Sequence, residues 1–64
     1  MKRYLLVVSP TIGPQVLGPF TTDRARLEVV RQWHHFDRAA KYLRLNVREG
    51  RRPVVSPFSG KELR

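Results

Sequence analysis

Between Arg3 and Ser9 the chain is apolar and β-branched almost without interruption. Neither alternate set of positions is polar, which predicts a strand that is central in its sheet or covered on both faces. Ser9-Pro10-Thr11-Ile12-Gly13-Pro14 is turn chemistry, because its prolines and glycine cannot continue a ladder. Gln15-Val16-Leu17 returns as a short second strand, giving a hairpin with a loose loop. At Gly18-Pro19-Phe20-Thr21 the pattern changes from strand to helix. Gly18 permits an unusual backbone angle and Pro19 stops pairing. Thr21 is placed as N-cap, Asp23 sits in the first turn against the helix dipole, and Phe20 and Ala25 take the positions of a hydrophobic staple. The helix is predicted from about Thr22 to His35. Its polar face carries Arg24, Glu28, Arg31, Gln32 and His35, with ion pairing open to Arg24, Glu28 and Arg31 at helical spacing. Its apolar arc carries Ala25, Val29 and Trp33 and widens through Val30 to Leu27, which places Trp33 in the core.

After Trp33 two readings compete. Ala25, Val29, Trp33, Phe36, Ala40 and Leu43 form one stripe of a single helix ~33 Å long, more than so small a domain covers comfortably. Alternatively a strand begins near Tyr42, since Leu43-Arg44-Leu45-Asn46-Val47-Arg48 alternates strictly between apolar and polar. The alternation favours the strand, with His34–Lys41 as connection. Glu49-Gly50-Arg51-Arg52-Pro53 then reads as a turn and Val54-Val55 as an optional short edge strand. The expected fold class is α+β: a single ββαβ domain over residues 1–60, a three-stranded sheet in the order 2-1-3, and one helix on one sheet face. Residues 61–64 are expected to form a frayed tail.

The run Leu17-Gly18-Pro19-Phe20-Thr21-Thr22, leading into an amphipathic helix with Trp33 near its end and a strand after it, resembles small uncharacterised bacterial and phage ββαβ proteins with a Gly-Pro-Phe-Thr junction. The order of elements is also similar to that of small phage inhibitors of host RNA polymerase. That resemblance implies a helix packed on a three-stranded sheet, with arginines of the last strand, here Arg44 and Arg48, contacting the enzyme.

Composition changes the picture chiefly through charge. Thirteen Lys and Arg against five Asp and Glu give a net charge of +8, and this favours an anionic partner. The same Arg, Val, Leu and Pro richness also follows from a GC-rich genome. The chain has no cysteine, which removes disulfides, thiolate zinc sites and thiol nucleophiles and favours a cytoplasmic setting. No apolar run approaches the ~20 residues of a membrane span, so no membrane partner is expected. A deep pocket of roughly 300 Å³ or more is difficult to build beside a core of this size, so no cofactor is expected.

The basic residues concentrate late. From Arg38 to Arg64 there are eight basic and two acidic residues, whereas Met1–Asp37 has five and three. Arg44 and Arg48 are placed with Tyr42 and Asn46 on the polar side of the third strand, and Arg51 and Arg52 in the turn beyond it. Arginines interleaved with a tyrosine suit phosphate contact plus base stacking, so Tyr42, Arg44, Arg48, Arg51 and Arg52 are the candidate binding residues. A charged strand that discourages edge-to-edge aggregation has the same pattern. His34 and His35 point about 100° apart on a helix and are poorly placed to share a metal ion. His34-His35-Phe36 also resembles the histidine-containing stretch of small basic ribonuclease toxins with the double-stranded-RNA-binding fold. The expected function is therefore a nucleic-acid-binding accessory protein without catalysis. The alternatives are an inhibitor or adaptor docking on an acidic protein surface such as host RNA polymerase, and a His-dependent ribonuclease. The broad helix arc and an uncovered sheet face also predict a homodimer.

Overall fold

The structure, a computed structural model, describes residues 1–64. The element order is β1 (Lys2–Ser9), β2 (Gly13–Phe20), α1 (Asp23–Phe36), β3 (Lys41–Val47) and β4 (Val54–Pro57). The strands form one antiparallel sheet in the order β2-β1-β3-β4. The fold is α+β as expected, β1 lies between β2 and β3, and the edge strand is present. The helix cap falls one residue later than Thr21: the Thr22 hydroxyl accepts the Ala25 N–H at 3.0 Å. The helix stops at Asp37, whose N–H donates to the Trp33 carbonyl. The Asp37 carboxylate accepts the N–H groups of Ala39 and Ala40, both at 3.1 Å, and the Ser9 hydroxyl at 2.9 Å. These bonds turn the chain into β3 and decide against the single long helix.

Register shows which side of each strand meets the helix. Leu5 and Val7 are fully buried beneath α1, and they pair across β1 and β3 with Arg44 and Tyr42. Tyr42, Arg44 and Asn46 therefore face the helix. Leu43, Leu45 and Val47 face the other way, opposite to the arrangement their hydrophobicity implies. The core consists of Leu5, Val7, Val30, Ala40, Tyr42 and Phe58, with Leu17, Phe20, Leu27, Val29, Trp33 and Leu63 packed around it. Trp33, expected as core, is only half-buried at its margin, and Phe36 is 89% exposed.

Arg26 is the largest fully buried side chain, at 2% exposure. Its Nη1 donates to the Tyr4 carbonyl at 3.1 Å and to Asn46 Oδ1 at 2.7 Å, and its Nε and Nη2 donate to Asp23 at 3.2 and 2.6 Å. One guanidinium thus joins α1 to both central strands. No buried side-chain nitrogen or oxygen is left without a partner. An interior cation is tolerated only when paired and hydrogen-bonded in this way.

The C-terminal segment, expected as a tail, returns to the helix side of the sheet. Phe58 is buried, Leu63 packs against the core, Arg31 Nε donates to the Glu62 carbonyl at 2.8 Å, and Glu62 forms an ion pair with Arg44. All these contacts lie on the helix side of the sheet. The opposite face has no element over it, and the shortest Cα extent of the molecule, 17 Å, suits one helix layer on one sheet.

The end of β2, where its register with β1 is irregular, depends on Gly18. Its φ is +122°, and a Cβ there would lie 2.9 Å from the Arg3 carbonyl oxygen. Gly18→Ala is expected to cost about 1–3 kcal/mol, through both the backbone angle and the clash. Arg26→Ala is expected to cost about 2–3 kcal/mol, because it empties a buried site and strands the Tyr4 and Asn46 acceptors, while the half-exposed Asp23 carboxylate stays hydrated. Urea unfolding followed by circular dichroism checks both, and an Arg26→Ala variant of unchanged midpoint would contradict the role given to this side chain.

Candidate nucleic-acid interface

The five residues selected from the sequence separate into two groups. Tyr42 is 5% exposed, its hydroxyl donates to the Asp37 carbonyl at 2.6 Å, and His34 stands edge-on to its ring. Burial, followed by the nearby Asp37 charge, pushes its phenol pKa up. It is a core residue, and no base can stack on it. Arg44 is also committed. Its side chain is 16% exposed, lies 4.0 Å over the Phe58 ring, and bridges Asp23 and Glu62. The expected row from Arg44 through Arg48 is therefore absent, because Arg44 belongs to the helix–sheet interface.

Arg48, Arg51 and Arg52 do come together. The β3–β4 connection turns at Gly50, where φ is +72°, and the Arg51 N–H donates to the Arg48 carbonyl at 3.2 Å. All three side chains are exposed, and none is in an ion pair. With Met1, Asn46 and Val54 they line a shallow concavity of about 230 Å³. The Asn46 carboxamide oxygen is already taken by Arg26, which leaves its NH2 group as a hydrogen-bond donor without a protein partner. The concavity thus offers several donors and two apolar side chains. Glu49, in the same turn, is exposed and unpaired.

A second cationic group was not foreseen. Arg31, Arg38 and Arg64 surround a depression of about 320 Å³ with His34, His35 and Leu63. The helical spacing of Arg31, His34 and Arg38 is visible in the sequence, but the return of the C-terminal segment beside them is not. Thirteen basic residues less the three in ion pairs, Arg24, Arg26 and Arg44, leave ten unpaired. Of the five carboxylates only Asp37 and Glu49 form no ion pair, so the surplus positive charge remains available at the surface.

Comparison with known proteins finds no matching family, no similar curated protein and no similar solved structure. No helix is long and apolar enough to cross a membrane.

The paired carboxylates give the surface a pH dependence. The hydrogen bond from Arg44, followed by the Ser59 N–H, lowers the Glu62 pKa to about 2. The hydrogen bond from Arg26, followed by that from Arg44, outweighs desolvation and lowers the Asp23 pKa as well. Both groups titrate lower in the folded chain than in the unfolded one. Their stabilisation is therefore complete above the ordinary carboxylate range and lost as pH falls through the folded values. The melting temperature is expected to fall from about pH 5 towards pH 2. Glu62→Gln should have a lower melting temperature at neutral pH and a shallower acid dependence. Thermal melts across that range check this, and a Glu62→Gln profile parallel to wild type would exclude the Arg44–Glu62 pair as its source.

Proposed function

We propose that the protein is a small, non-catalytic nucleic-acid-binding accessory protein that holds the phosphate backbone through Arg48, Arg51 and Arg52. The observation that carries this reading is the concentration of three exposed, unpaired arginines on one short turn around a donor-rich concavity. Guanidinium groups offer paired donors matched to phosphate oxygens. The unpaired surface charge adds long-range attraction, and each neutralised phosphate releases counterions. In this reading the protein acts in the cytoplasm of a bacterial or phage-infected cell.

The test is binding to random-sequence DNA and RNA at several salt concentrations. Log affinity is expected to fall linearly with log salt, and replacing Arg48, Arg51 and Arg52 together with alanine should reduce that slope by roughly two to three units. The triple variant should keep its circular dichroism spectrum, because none of the three side chains contacts the core. Arg44→Ala should instead lower the melting temperature and leave the slope unchanged. A folded triple variant with the wild-type slope would place the contact elsewhere. Absence of wild-type binding at low salt would overturn the reading.

A further inference from the structure

We infer that the uncovered face of the sheet is the interface with a second copy of this chain, packed sheet to sheet. In one cross-strand row Val16, Leu6, Leu43 and Pro57 lie side by side, and in the next Tyr4, Leu45 and Val55. Every position in these two rows is apolar or aromatic. The lysines of this face stand at its two ends, where Lys41 pairs with Val8 and Lys2 with Val47. Their long side chains reach solvent from the rim of such an interface without crossing it. Val16 and Val55 are 58% and 52% exposed, and Val8 is exposed as well. Leu6, Leu43 and Leu45 are shielded only by neighbours on the same face, since no element crosses it.

Three observations select a second copy as the occupant. The first is the size of the interior: only eight of 64 residues are buried, six of them hydrophobic. A domain of this length generally needs a second source of stability, and disulfides, metals and oligomerisation are the usual ones. The chain has no cysteine, and no group of three metal-ligating side chains converges anywhere in it. The second is area. Four strands ~4.8 Å apart, each with about five residues on ~3.3 Å rises, give a face roughly 19 by 17 Å. Closing two such faces covers roughly 650 Å² in projection, and more in accessible surface because the side chains corrugate each face, which approaches the size at which specific interfaces begin. The third is chemistry. The centre of the face holds no charge, so a two-fold axis through it brings like apolar rows together, as in the interior of a β-sandwich. The arginine turn and the helix-end cations lie outside the two apolar rows.

Sedimentation velocity without nucleic acid, at physiological salt and from low to high micromolar protein, tests the inference. The wild-type chain is expected at twice 7.5 kDa, with a melting temperature that rises with protein concentration. Leu45→Lys should weaken the dimer about a hundredfold by burying a charge at its centre. Should that variant fail to fold, Val55→Lys on the exposed edge strand serves the same purpose and should weaken the dimer about tenfold. Phe36→Ser on the outer surface of α1 should leave the dimer unchanged. A wild-type chain that stays monomeric throughout would overturn the inference. So would a dimer unaffected by folded Leu45→Lys or Val55→Lys variants, or one abolished by Phe36→Ser.

Discussion

The buried guanidinium of Arg26 is the constraint on which the rest of the arrangement depends. A cation at the helix–sheet interface is stable only if its donors are met there. Meeting them recruits Asp23 from the start of the helix, the Tyr4 carbonyl from β1 and the Asn46 side chain from β3. Asn46 can answer Arg26 only if it faces the helix, and alternation then turns Tyr42 and Arg44 to the same side. Asp23 also accepts from Arg44, Arg44 pairs with Glu62, and the Glu62 carbonyl accepts from Arg31. A polar seam therefore runs from the helix start through the sheet to the C-terminal segment and back to the helix. The small apolar core of Leu5, Val7, Val30, Ala40, Tyr42 and Phe58 lies beside it.

That seam sorts the basic residues by role. Arg26 and Arg44 are spent on holding layers together, so their charge is not available to a partner. Arg48, Arg51 and Arg52 lie past the end of β3, beyond the last helix-facing position, and form no ion pair. The same sorting explains the apolar face. Once the polar positions of β3 are drawn towards α1, Leu43, Leu45 and Val47 must point away from it, beside Tyr4 and Leu6 of β1. The arginine turn and the uncovered hydrophobic face thus follow from one orientation of one strand.

Much was legible along the chain. The continuous apolar run of β1 marked it as the central strand, Ser9-Pro10 placed the end of β1, and the strict alternation from Leu43 to Arg48 identified β3 against a longer helix. The sheet order and the edge strand followed from these. Gly13-Pro14 and Gly18-Pro19, expected to lie outside the second strand, instead fall within β2, where Pro14 pairs with Val8 and Phe20 with Arg3. The cap moved by only one residue, from Thr21 to Thr22, because either hydroxyl suits the position and the choice depends on where the helix meets the sheet. Arg48, Arg51 and Arg52 were legible as a cluster because a tight turn keeps neighbours in sequence close in space.

The facing of β3 was decided only by tertiary structure. Alternation reveals two sides of a strand but not which of them meets the helix, and the apolar side is the natural choice for the covered one. Here a buried arginine on α1 reversed that choice by requiring a polar partner across the interface. Tyr42 and Arg44 thereby left the candidate site and entered the interior. The docking of Leu63 and Glu62 was likewise invisible in the sequence, because it depends on contacts with Arg31 and Arg44, far away along the chain. The sequence by itself determined which elements form and the order in which they lie, since these depend on local pattern. Tertiary structure determined which face of the sheet is covered and which arginines stay free, since both depend on how one buried charge is satisfied.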